Sequence, residues 1–287
     1  MPQASTPSAR GGSPLVRALL TRLAARLLGG LLAALLLLWL LIDVLAGAAA
    51  PGFIGGLLGG APTGSGAALG PMVLERLAVT VPLALLAFLI AVAGGLGLAS
   101  ADSIVPMRVP AALLAATPAF WAGLLLILGV AGGLKLLPAS GFVPWHSNAA
   151  AALGSLLLPA LAMGVPGAGQ FARLLLSERD AVAAEAVHLL RSRGMTTGQA
   201  RRRLAIARLR SSLPAILARL FVAIWIGTVL VEALFYLPGL GRLTLGAALQ
   251  HDLPLFALGL YVLVCLAILG DVLLRLTRLA LDARGPA

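Results

Sequence analysis

The stretch "RLAVTVPLALLAFLIAVAGGLGLAS" fills residues 76–100 and has no charged side chain after Arg76. Its apolar run, 77–99, matches the about 20 residues that a helix needs to cross the hydrocarbon core of a bilayer. Backbone groups in lipid must be satisfied within the segment, so the run reads as an α-helix and not a strand. Working outward, similar runs fall at 27–45, 111–134, 150–171, 213–235 and 255–274. The reading is an all-α polytopic membrane protein with six transmembrane helices.

Composition agrees. Of 287 residues 60% are hydrophobic and 11% charged, against roughly 25% charged in a soluble domain. Mean hydropathy is +1.04. The net charge of +11 does not point to nucleic acid, because the arginines, apart from Arg219 inside the fifth run, sit outside the apolar runs, where they report topology. Arg10, Arg17, Arg22 and Arg26 precede the first run, Arg108 follows the second, and Arg275, Arg278 and Arg284 follow the sixth. Arg173, Arg179, Arg191, Arg193, Arg201, Arg202, Arg203, Arg208 and Arg210 lie between the fourth and fifth. The other side holds Lys135 and Arg242, with Arg76 near the start of the second run. The positive-inside rule therefore places both termini in the cytoplasm.

Residues 1–26 read as a cytoplasmic tail, partly disordered over its Pro/Ser/Gly-rich start, and 27–71 as the first helix with a short external segment. A secretory signal is the rival reading of 27–50, since "LAGAAAPG" offers a cleavage site. The apolar run exceeds the 7–15 residues of a signal core, which favours a retained helix. Gly129 and Gly133 form a GxxxG pair that permits close helix contact.

Enzyme signatures are missing: there is no P-loop, H-E-x-x-H, G-x-S-x-G or C-x-x-C. No catalytic residue is assigned. His146, His188 and His251 show no metal-ligand spacing, so no metal is expected. Cys265 stands alone, excluding an intrachain disulfide. Asp43, Glu232 and Asp271 lie near the ends of runs and read as interfacial carboxylates. An ion-coupled carrier usually keeps such groups inside the bundle. A transporter without them needs an external energy source.

Two polar segments stand out. "SERDAVAAEAVHLLRSRGMTTGQARRRLAIARLRSSLP" (177–214) is helix-prone, amphipathic and basic, and broken once at Gly194. Glycine stops one helix and Thr196 or Thr197 caps the next, giving an elbow. It reads equally as a lipid-resting loop or as a docking element for a soluble partner. The second, "LFYLPGLGRLTLGAALQHDLP" (234–254), places prolines, glycines and charges between greasy runs. Pro238 and Gly239 stop a helix, Gly241 permits close backbone approach, and 242–249 forms a short helix before Asp252 and Pro254. Arg242 is expected to pair with Glu232, with Asp252 or with a docked protein.

Several stretches resemble the permease subunits of ATP-binding-cassette importers of the dipeptide/oligopeptide/nickel family, over about 72–284. Residues 76–100 resemble the helix opening that family's transport domain. "ATPAFWAGLLLILGVAGGLKLLPASGF" (116–142) is similar to its S-x-P-x-F-W…L-P-x-S-G stretch, and "LLLPALAMGVPGAGQFARLL" (156–175) to its L-P-A-L helix. "VEALFYLPGLGRLTLGAALQHDLP" resembles V-E-T-V-F-x-x-P-G-L-G-R…R-D-Y-P, with Glu232, Pro238, Gly239, Gly241, Arg242, Asp252 and Pro254 in register.

The resemblance implies a type I importer permease fold in the bacterial inner membrane. It also implies partners: a second permease, two ATPase subunits and an extracytoplasmic binding protein. ATP is used by those partners, and this subunit binds no cofactor. The segment near 177–213 would be the coupling loop, with Glu185, Arg191, Arg193, Gly194 and Met195 matching and His188 standing where an arginine is usual. The spacing from Gly194 to Pro214 is about two residues longer than usual, and the external 47–71 segment is short. The 234–254 stretch would be the extracytoplasmic gate loop. Peptide is the expected cargo, with nickel or a metal chelate as the alternative on the same fold. A stand-alone secondary carrier or channel and a non-transporting scaffold are the readings from other classes.

Overall fold

A computed structural model describes residues 69–102, 106–134, 137–182, 184–192 and 194–282. The tail and the first predicted run lie outside the described residues. Among the described residues the regular structure is entirely helical: α1 (Leu69–Ala101), α2 (Arg108–Ala116), α3 (Ala119–Leu126) continuing as a π-helical stretch (Ile127–Gly133), α4 (Ala149–Asp180), α5 (Ala184–Ser192), α6 (Thr197–Leu234), α7 (Leu240–Leu249) and α8 (Leu253–Asp282). Four segments are long and apolar enough to cross a membrane: Met72–Ala101, Ala149–Asp180, Ser211–Leu234 and Leu255–Arg275.

The predicted third run, 111–134, is not one straight helix. It divides into α2 and α3 with a 94° bend between them, a fifth span only if the bent pair is counted as one. The cause is local. Proline at 118 lacks an N–H and disfavours helical backbone in the residue before it. Thr117 is accordingly extended, at φ −78° and ψ 118°, and Pro118 at φ −64° and ψ 144°. An apolar count reads through this break because both halves are greasy.

The helix α4 is the centre of the bundle, packed against α1, α2, α3 and α6. Its N-terminus is capped by Asn148, whose side chain accepts from the Ala150 and Ala151 amides at 3.0 and 3.1 Å. Leu156, Leu158, Phe171 and Ala172 are buried along it. Close approach of α1 depends on small residues, as in other membrane helix pairs. A Cβ added at Gly164 would meet Ile90 Cγ2 at 2.6 Å. Gly164→Val is therefore expected to destabilise the bundle by about 1–3 kcal/mol through overpacking, measured as a lowered unfolding temperature in detergent. By contrast, the GxxxG pair does not mark the helix contact. Gly129 lies in the π-helical stretch and a Cβ there would meet nothing within 4 Å.

Charges gather at one end of the bundle. Arg108 forks onto Asp180, at 2.6 and 3.0 Å, and lies 3.8 Å from Asp102. Arg179 donates to the Ala99 carbonyl at 3.0 Å, and Arg208 pairs with Glu178 at 2.8 Å. This is the end carrying α5, and it is called the elbow end below. At the opposite end the Trp145 indole donates to the Ala78 carbonyl at 2.8 Å and the Gly141 amide to the Phe235 carbonyl at 3.1 Å.

Candidate functional site: a caged loop and a capped elbow

At the end away from the elbow, α6 stops at Leu234 and α7 begins at Leu240. A helix start leaves backbone N–H groups without partners. The residue at the N-cap of α7 is Gly239, which has no side chain to serve them. The carboxylate of Glu232 does so instead. Its Oε2 accepts from the Arg242 amide at 3.0 Å, and its Oε1 accepts from the Thr80 hydroxyl at 2.6 Å. Thr80 Oγ1 in turn accepts from the Leu240 amide at 2.8 Å. One carboxylate and one hydroxyl thus tie α6, α7 and α1 together. The carboxyl group also lies at the positive end of the α7 dipole.

Glu232 and Thr80 are both 0% exposed. This corrects the expectation that Glu232 is an interfacial carboxylate reached by water. A buried carboxyl group is tolerated when its oxygens find donors, and here each oxygen has a protein donor. The two glycines of the motif make the room. A Cβ at Gly239 would run into the Glu232 carboxyl group, and one at Gly241 would lie 2.6 Å from Val229 Cα.

Arg242 does not pair through its side chain with Glu232 or Asp252. Only its backbone amide meets Glu232, and its guanidinium lies 4.4 Å from the centre of the Tyr236 ring, a cation–π distance. Tyr236 is 65% exposed and held at φ +56°, a left-handed backbone rare for an aromatic residue. Asp252 Oδ1 accepts from the Leu255 amide at 3.2 Å, and the Asp252 amide donates to the Ala247 carbonyl at 2.9 Å. Asp252 therefore joins α7 to α8. Pro254 is the second residue of α8, within the first turn, where a missing N–H costs nothing. Pro238 precedes the Gly239 cap.

The elbow is equally determined. Gly194 has φ +87°, its amide donates to the Arg191 carbonyl at 2.9 Å, and the Met195 amide donates to the Leu190 carbonyl at 3.3 Å. These paired bonds are the Schellman ending of α5. Nothing lies within 4 Å of a Cβ built at Gly194, so the glycine answers to backbone conformation and not to crowding. Thr196 then caps α6. It accepts from the Gln199 amide at 3.3 Å while Gln199 Oε1 accepts from the Thr196 amide at 3.2 Å, a reciprocal capping box. Thr196→Ala should cost about 1 kcal/mol at this helix end, seen as faster amide exchange over 197–200.

His188, Arg191 and Gly194 are exposed and Met195 is half-buried. Glu185 belongs to α5, and Arg193 lies outside the described residues. The elbow is short because its flanks are absorbed into longer helices: α4 runs on to Asp180, and α6 begins at Thr197. Among the described residues, no group of three His, Cys, Asp or Glu side chains is placed to hold a metal.

Sequence reasoning missed Thr80 altogether. The available signal was a hydroxyl inside an apolar run with a carboxylate elsewhere at a run's end, since buried polar groups need partners.

The architecture defines a class: a bundle of membrane-length helices, helical throughout its described residues, with a capped elbow at one end and a caged loop at the other. Residues 77–284 match the family described as binding-protein-dependent transport system inner membrane component. A Brucella suis biovar 1 protein, provisionally named a peptide transport system permease, is 32% identical over 212 residues, covering 69% of this chain and 67% of that protein. Similarly named proteins of Brucella abortus and Brucella melitensis biotype 1 are 31% identical over the same coverage. The chain belongs to the family of binding-protein-dependent transport system inner membrane components and is a transport permease.

Proposed function

We propose that this chain is one of two permease subunits of an ATP-driven importer, with the elbow seated in the cytoplasm on an ATPase subunit and the 234–254 loop forming the outer mouth of the pathway. The observation that carries this reading is the continuity of α6. One helix of 38 residues, with Pro214 inside it, joins the Thr196 cap to Leu234, about 57 Å at 1.5 Å per residue. One end is locked to the Gly194 turn and the other to the Glu232 cage. Movement of the elbow can therefore reach the outer loop along this one helix, as a shift of packed elements. Arginines at the elbow end support its cytoplasmic orientation, with both termini on that side and the chain in a bacterial inner membrane. The names of the Brucella relatives favour a peptide as cargo over nickel or a metal chelate.

No residue of this chain performs covalent chemistry in this reading. ATP binding would close two ATPase subunits, shift the elbows of both permeases and rock the helices between outward-open and inward-open states. An extracytoplasmic binding protein delivers the cargo. Large exposed apolar side chains, including Leu85, Leu89, Trp121 and Leu125, then face lipid or the second permease.

The test is purification of the full chain from its native membrane, followed by reconstitution. A P-loop ATPase that co-purifies, with uptake that requires ATP and the binding protein, is the expected result. Uptake by this chain alone, driven by an ion gradient and indifferent to ATP, would replace the reading with a secondary carrier.

A further inference from the structure

Beside α7 lies an open cleft of about 460 Å³, lined by Arg76, Tyr236, Arg242, Leu249, Gln250 and Asp252 among others. Its size suits a small molecule. We infer that this cleft is a carboxylate-recognition site at the outer mouth, in which Arg76 and Arg242 hold a monocarboxylate or zwitterionic cargo. The inference rests on the permease reading for its place on the pathway.

The pairing of charges in the rest of the molecule carries it. The ion pairs of the described residues join Arg108 to Asp102 and Asp180, Arg208 to Glu178, and Arg275 to Asp271. Among the described residues, no carboxylate comes within 4 Å of the Arg76 or Arg242 guanidinium. Glu232 gives its oxygens to the Thr80 hydroxyl and the Arg242 amide. One Asp252 oxygen serves the Leu255 amide. The amides at the start of α7 are thus answered from inside, while the two arginine side chains beside them have no carboxylate at ion-pair distance, Arg76 meeting Glu232 only through its longer-range field.

Arginine presents a planar fork that fits a carboxylate with two parallel bonds. The Tyr236 face fixes the Arg242 guanidinium from one side and leaves its N–H edges for a ligand. Asp252 on the same wall decides between anions. It repels a dianion such as phosphate, and it complements a ligand that carries an ammonium as well as a carboxylate.

The experiment uses the full chain in lipid nanodiscs, with phenylglyoxal modification of each arginine followed by mass spectrometry. The probes are trialanine and trialanine amide. Trialanine should protect Arg76 and Arg242 but not Arg191 or Arg208, and the amide should protect neither. Arg242→Gln should raise the concentration that half-protects Arg76 by about tenfold, the scale of one charge-assisted hydrogen bond. Absence of protection, or equal protection by the amide, overturns the proposal. Protection that needs the binding protein and not the peptide also overturns it, making the cleft a docking surface. ATP-driven uptake by the reconstituted complex is measured separately. Uptake without protection leaves the permease reading and removes the site, whereas protection without uptake does the reverse.

Discussion

Glu232→Ala should loosen the outer loop while leaving the membrane bundle assembled. The substitution leaves the Arg242 amide without its acceptor and removes one partner of the Thr80 hydroxyl. Each unsatisfied buried group costs about 1–3 kcal/mol. The hydroxyl has a fallback, because the Arg76 carbonyl lies 3.3 Å away. The amide has none, since it lies in the first turn of α7, where helical backbone offers no acceptor. A net loss of about 2 kcal/mol in the local opening equilibrium corresponds to roughly 30-fold faster exchange over 237–249. Hydrogen exchange by mass spectrometry reads this directly. Glu232→Gln keeps the shape: one amide oxygen still accepts from the Arg242 amide, and the NH2 group donates to Thr80, whose own proton then turns to Arg76. Its exchange should therefore rise less than that of the alanine variant. Equal exchange in wild type and Glu232→Ala would show that the carboxylate does not hold the loop.

Gly194→Pro should uncouple transport. Proline deletes the amide that donates to the Arg191 carbonyl and fixes φ near −65°, where the elbow holds +87°. The α5 ending cannot form, and the exposed surface of the elbow loses its shape. Uptake by the reconstituted complex should fall about tenfold or more, with normal membrane insertion, because the lost term is of the order of 3 kcal/mol. Gly194→Ala keeps the amide and carries only the about 1–2 kcal/mol left-handed cost of a Cβ, so most uptake should remain. Unchanged uptake and unchanged ATPase stimulation in the proline variant would remove the elbow from the coupling route.

Local chemistry was the legible part of this chain. The spans around Leu83, Leu158, Ile224 and Val262 announce themselves by their predominantly apolar residues. The elbow is written within a few positions, Gly194, Thr196 and Gln199, so its turn follows from neighbours in sequence. The bend at Thr117–Pro118 was legible in principle, but hydropathy outweighed it because a run of apolar residues gives no sign of direction. Least legible was the outer loop. Its centre depends on a hydrogen bond between residues 152 positions apart, and nothing local to Glu232 distinguishes a caged carboxylate from one at a wet helix end. The roles proposed for the elbow and the gate rest on the whole lever, which no single segment displays.

That same 152-residue separation has a consequence for how the protein is made. Ribosomes add about 5–20 residues per second, so Thr80 is synthesised roughly eight to thirty seconds before Glu232. Through that interval the hydroxyl has only the carbonyl of Arg76. Glu232 itself emerges before the α7 amides that will surround it. Closure of the loop is therefore a late step, available only after α6 and α7 have both left the ribosome. A nascent chain stopped between them would present the insertion machinery with a carboxylate at the edge of the bilayer and only the Thr80 hydroxyl, without the α7 amides, to receive it.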